Sequence, residues 1–263
     1  MKRFPYALLL IIFLLTSCGG LGAVSPTDTA APPSDTPPPT STPLPTDTPT
    51  PVPTSTPDAA ATAAAQATAS AASVLDELDR LLGESDVPYM DGHLAWQQTE
   101  PAKITMQGPQ YNNQFLSIDE DLVAKNFVFK SDVIWNGTGI MVCGALFRSE
   151  ANLERGKQYQ FYFYRLSGLP AYFIDVYEDP SFKNTITDAK FSDELDISND
   201  ATNQFVLVAQ DNQFNIYLNG KRQGRYFDNS KQRSEGYFGF MAWQESGTGS
   251  CEFENSWVWS LDE

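Results

Sequence analysis

The run Phe214-Asn215-Ile216-Tyr217-Leu218-Asn219-Gly220-Lys221 places large apolar residues at every second position and then breaks at Asn-Gly. Side chains two apart share one face of a strand, so Phe214, Ile216 and Leu218 line one surface. Asn-Gly between strand-like segments marks a two-residue hairpin, because both central turn residues need positive φ. The segments at 127–135, 160–165, 171–177, 205–209, 237–242 and 251–259 share the pattern: short, rich in aromatic and β-branched residues, and bounded by turn formers. With so many strands and almost no helical period after Pro88, the expected fold is all-β. The economical architecture is a two-sheet antiparallel jelly-roll sandwich over 88–263.

The rest of the 263 residues reads differently. Of the 33 aromatic residues 30 lie from Pro88 onward, whereas 12 of the 18 prolines fall between Pro26 and Pro57. Only the second part has the composition of a packed core. Seventeen Lys and Arg against 33 Asp and Glu give a net charge of −16, which opposes phosphate neutralisation and argues against a nucleic-acid partner. One histidine and three cysteines are too few for a structural zinc cage, and no cofactor is indicated.

Residues 1–17 read as a signal peptide: Lys2 and Arg3, then an apolar run from Ala7 to Leu15 that is too short to span a bilayer. Leu15-Thr16-Ser17-Cys18 resembles the bacterial lipobox, which implies cleavage before Cys18, lipidation of that cysteine and anchoring at the outer side of a bacterial membrane. Residues 18–58 are nearly all Gly, Pro, Thr, Ser, Asp and Ala, the composition of an extended, disordered tether. From Asp58 an Ala-rich run passes into Val74, Leu75, Leu78, Leu81 and Leu82 before Gly83, which predicts a helix over 59–83. Its leucine stripe needs a cover, either the following domain or weak self-association through 74–82.

The order of motifs after Gly92 resembles the concanavalin A-like lectin/glucanase superfamily, in its laminin-G-like and 3-keto-disaccharide-hydrolase-like branches. The motifs are 127–135, Cys143-Gly144-Ala145-Leu146-Phe147-Arg148, the Tyr/Phe strand at 159–164, Asn203-Gln204-Phe205, the Asn219-Gly220 hairpin, Gly236-Tyr237-Phe238-Gly239-Phe240 and Phe253-Glu254-Asn255-Ser256-Trp257-Val258-Trp259. The resemblance implies a sandwich that carries lectins, adhesion modules and hydrolases alike.

Retaining glucanases of that superfamily carry Glu-x-Asp-x-x-Glu, or a form one residue shorter, on one strand. The nearest stretch here, Phe173-Ile174-Asp175-Val176-Tyr177-Glu178, has Phe173 in place of the first glutamate, so the paired carboxylates that glycoside cleavage requires are incomplete. The acid pairs Glu150/Glu154, Asp193/Asp196 and Glu252/Glu254 read as solvated charges, and His93 has no serine or cysteine partner at a telling spacing. Asp119-Glu120-Asp121 and Asp211-Asn212 lack regular calcium-ligand spacing, so no metal is expected.

Binding is the stronger expectation. If Phe161 and Phe163 enter the core, Tyr162 and Tyr164 take the opposite face, and Tyr172 and Tyr177 on the next strand are expected to join them. Such a face offers apolar platforms and hydroxyls to a sugar ring, with Arg148, Arg165, Asp175 and Asn215 as polar contacts. The same tyrosines are also ordinary strand formers at a half-exposed surface. Once Cys18 is assigned to lipid, Cys143 and Cys251 remain in an oxidising compartment, an even remainder that favours one bridge between them, with two buried thiols as the alternative. The expectation is a non-catalytic, lipid-anchored surface protein that binds envelope or environmental polysaccharide. A 3-keto-glycoside hydrolase and a protein-binding display module are the alternatives.

Overall fold

The computed structural model describes residues 59–109, 113–166, 168–178 and 181–262. The signal peptide, Cys18 and the tether expected over 1–58 lie outside the described residues. Helix α1 (Ala59–Leu82) is followed by a short 3-10 turn (Tyr89–Asp91) and then by strands alone. These are β1 (His93–Gln97), β2 (Ala102–Gln107), β3 (Gln114–Ser117), β4 (Phe127–Gly137), β5 (Met141–Ser149), β6 (Gln158–Leu166), β7 (Leu169–Glu178), β8 (Ser181–Phe191), β9 (Ala201–Gln210), β10 (Gln213–Leu218), β11 (Lys221–Phe227), β12 (Tyr237–Gln244) and β13 (Thr248–Ser260).

Two antiparallel sheets form the expected sandwich. The first runs β1-β13-β4-β9-β10-β11 with β2 also on β13, and the second runs β3-β12-β5-β6-β7-β8. All seven stretches that alternate in the sequence are strands. At the deciding hairpin Leu218 pairs with Lys221, and Asn219 and Gly220 take φ of 48° and 78°, the left-handed turn that Asn-Gly specifies.

The core is aromatic because alternation sends one phenylalanine set inward from each sheet. Phe127 meets Phe238 edge-on with centroids 4.6 Å apart, Phe129 meets Phe205 at 5.4 Å, and Phe240 stacks on Phe253 at 4.1 Å. Cys143 on β5 and Cys251 on β13 are joined by a disulfide, with Cα atoms 5.7 Å apart and a sequence separation of 108, so the bridge ties one sheet to the other. The outward residues of the first sheet, Val128, Val206, Val208, Tyr217, Trp257 and Trp259, form a second apolar cluster with Val74, Leu78 and Leu82 of α1. The helix stripe is therefore covered by the sandwich itself. Polar groups fix its seat: Trp257 Nε1 donates to Glu77 Oε2 at 2.8 Å, the Tyr89 hydroxyl donates to Asp79 Oδ1 at 2.7 Å, and Lys130 Nζ lies 3.5 Å from Glu77 Oε1. With that face occupied, the outer face of the second sheet is the broad strand surface on the opposite side of the molecule.

Candidate functional site

Strands β6 and β7 pair without interruption from Gln158↔Tyr177 to Leu166↔Leu169, and this register decides which residues share the outer face. Phe161 and Phe163 point into the core, so Gln158, Gln160, Tyr162 and Tyr164 point out, opposite Tyr177, Asp175, Phe173 and Ala171. The Tyr162 and Phe173 rings stack with centroids 5.3 Å apart and planes inclined by 16°. Tyr164 meets Phe173 edge-on at 5.9 Å. One row along, the Tyr162 hydroxyl donates to Asp175 Oδ2. Gln160 Oε1 accepts from Asn113 Nδ2 at 3.1 Å, which brings Asn113, next to β3, onto this face.

Gly144 on β5 allows the close approach behind this stack. A Cβ there would stand 2.2 Å from the Phe161 carbonyl oxygen and 2.6 Å from Tyr162 Cα. Only glycine lets β6 lie at this distance with Tyr162 held over the neighbouring strand.

The Asp175 carboxyl is 4 % exposed, and among the described residues its Oδ1 has no hydrogen-bond partner. Burial pushes its pKa up, and the hydroxyls of Tyr162 and Thr185 offset this in part. Tyr162 and Tyr177 are themselves held above the usual phenol range, first by burial and then by the Asp175 charge. The cluster therefore has an acid that resists ionising beside phenols that stay protonated, flanked by an aromatic platform. Of the alternate positions 173, 175 and 177 only the middle one carries a carboxyl group.

Four residues expected on this face lie elsewhere. Tyr172 pairs with Phe163, is 2 % exposed and packs into the core against Phe161, with its hydroxyl 2.7 Å from that of Tyr226. Positions 172 and 177 are an odd number apart on one strand, so they take opposite faces. Arg148 adopts a φ of 48° where the β5–β12 register slips, which turns its side chain inward. There its guanidinium donates to the carbonyls of Lys125 and Asp211 and lies over the Phe127 and Phe214 rings, so it is a structural clamp. Arg165 shares the inward parity of Phe163 and at the sandwich rim donates to the carbonyls of Gly137 and Ile197 and to Asn199 Oδ1. Asn215 belongs to the outer face of the first sheet, where its Oδ1 accepts from Arg222 and Arg225.

Two further grooves occur. One of about 560 Å³ follows Lys103, Thr105, Asn136 and Ser250, and one of about 460 Å³ lies beside α1, with the buried ion pair of Lys130 and Asp132 (3.0 Å) in its wall. Neither carries stacked aromatics. Among the described residues no group of three His, Cys, Asp or Glu side chains is placed to hold a metal ion, and no helix is long and apolar enough to cross a membrane.

No protein-family model matches the chain, and no curated protein does. Solved structures similar to it include a carbohydrate-binding module from Bacillus subtilis, 17 % identical over 61 % of this chain and 95 % of its own, with a TM-score of 0.38. Sheep galectin-11 is 10 % identical over 58 % of this chain and 99 % of its own, with a TM-score of 0.37. A β-glucanase from Bacillus licheniformis is 10 % identical over 61 % of this chain and 78 % of its own, with a TM-score of 0.40.

Proposed function

We propose that the outer face of the second sheet binds carbohydrate, without turnover, in a lipoprotein held by Cys18 and displayed on the 18–58 tether. The observation that carries this reading is the Tyr162–Phe173 stack beside Asp175. The apolar face of a sugar ring lies well on such a platform, and its hydroxyls find partners in the half-buried phenols of Tyr162, Tyr164 and Tyr177, with Asp175 beneath them holding the Tyr162 hydroxyl in place. Helix α1 covers the Val128, Val206, Val208, Trp257 and Trp259 part of the first sheet's outer face, and the second sheet's outer face is the one that carries stacked aromatics.

Asp175 keeps a hydrolase in view as the second reading, because a buried acid with a raised pKa is what a proton donor requires. Phe173 and Tyr177 at the alternate positions argue for binding instead, since neither supplies a second carboxylate. Titration calorimetry of the full chain against soluble neutral polysaccharides, run alongside an assay for released reducing ends, tests both. Saturable binding without product is the expected result. Product release that Asp175→Asn abolishes would establish the hydrolase, and absence of saturable binding would overturn the glycan face.

A further inference from the structure

Strand β8 closes the second sheet at its edge and carries two of the most exposed aromatic side chains in the described protein, Phe182 at 54 % and Phe191 at 62 %. Neither follows from the alternation that identifies the other strands. Both lie on the face described above: Phe191 is opposite Ala171, which is opposite Tyr164, and Phe182 is opposite Tyr177, which is opposite Gln158. The Tyr177 and Phe182 rings meet edge-on at 5.9 Å.

The register thus sets out four successive rows across β6, β7 and β8. Tyr164 and Phe191 occupy the first, Tyr162 and Phe173 the second, Gln160, Asp175 and Thr185 the third, and Tyr177 and Phe182 the last. From Ala171 to Tyr177 is six residues, or about 20 Å at roughly 3.3 Å per strand residue. That is longer than any single sugar ring. Aromatic groups stand at both ends of this span, with the polar row inside it.

Exposed phenyl rings on an edge strand have another common use, which is to receive an added strand from a second chain. The β7–β8 ladder speaks against that use. Its register slips between Tyr172 and Ile174, between Ile174 and Asp175, and again between Val176 and Tyr177, so β8 is bulged along its length. A bulged edge offers no regular row of donors and acceptors to a new strand.

We infer that this face takes a polymeric glycan laid across several successive sugar units, with Phe182 and Phe191 as its outer contacts, and not a single terminal sugar. The inference rests on the glycan-binding reading above. The test uses the full chain with cello-, laminari- and manno-oligosaccharides of two, four and six units, titrated against wild type, Phe182→Ala and Phe191→Ala. Affinity is expected to rise with length, and each substitution is expected to weaken the hexasaccharide by about two- to tenfold, the range one aromatic contact carries, while leaving the disaccharide unchanged. A disaccharide that binds as tightly as the hexasaccharide would overturn the extended site and leave the glycan face standing. Substitutions that leave hexasaccharide affinity unchanged would do the same, including where they abolish a concentration-dependent dimer seen by sedimentation. Failure of every oligosaccharide to bind would instead remove the glycan reading on which the inference rests.

Discussion

The indole N–H of Trp257 donates to Glu77 Oε2 at 2.8 Å, and the other oxygen of the same carboxylate lies 3.5 Å from Lys130 Nζ, an ammonium that is 2 % exposed. One helix residue thus satisfies two buried donors of the first sheet. Glu77→Ala leaves the indole without an acceptor and Lys130 with only Asp132 and the Asn255 carbonyl. The expected cost is about 1–3 kcal/mol. It is read as a fall of roughly 2–4 °C per kcal/mol in the thermal midpoint. The exposed Glu84→Ala serves as control and is expected to stay within about 0.5 kcal/mol of wild type.

A pH dependence follows from Asp175. Its folded-state pKa is raised by burial, so the native chain retains a proton at pH values where the unfolded chain has lost it. This contribution to stability is fully present below the ordinary carboxylate range and is lost as pH rises through the raised value. Tyr162, Tyr177 and Asp188 face the same carboxyl, and the Asp188 charge reinforces the direction. Asp175→Asn is expected to unfold at a higher temperature than wild type at pH 7. The difference should shrink as pH is lowered below about 4, where the unfolded carboxyl also takes up its proton. A difference that does not change with pH would show that ionisation of Asp175 carries no cost.

Gly144→Ala is predicted to damage the site and the fold together. The added methyl meets the Phe161 carbonyl at 2.2 Å, a backbone atom that cannot rotate aside, so β5 and β6 must separate. The loss expected is about 1–3 kcal/mol. Denaturant unfolding measures it, and the Tyr162–Phe173 stack should loosen with it, visible as weaker aromatic circular dichroism.

Reduction of the Cys143–Cys251 bridge opens a loop of 108 residues. The chain-entropy model sets the loss at about 4–5 kcal/mol as an upper figure. Urea midpoints with and without reductant check it. Loss of more than this would mean that the bridge also holds packing between the sheets.

The fold was legible because short runs rich in aromatic and β-branched residues stand between turn formers, and because the face that enters the sandwich interior carries a large apolar side chain at every second position, as at Phe214, Ile216 and Leu218. Among the strands that this pattern missed, β5 and β8 hid for opposite reasons. Residues of β5 are buried on both faces, which removes the alternation, and β8 is a bulged edge whose polar residues follow no period. Tyr162, Tyr164 and Asp175 were legible as one face, since alternation within a strand is local and the neighbouring register is continuous. Arg148, Asn215 and Tyr172 were misplaced because alternation does not say which sheet a strand joins or where a bulge reverses a side chain. The parity of Tyr172 and Tyr177 was a signal in plain sight.

Helix α1 leaves the sandwich from the leaf opposite the aromatic strip. Tension applied through its N-terminal end is resisted first by Glu77, Asp79 and the leucines beneath them, on a leaf joined to the other by a covalent bond between cysteines. The strip itself lies outside that line of force, so a pull on the helix reaches the aromatic strands only through the disulfide and the shared interior.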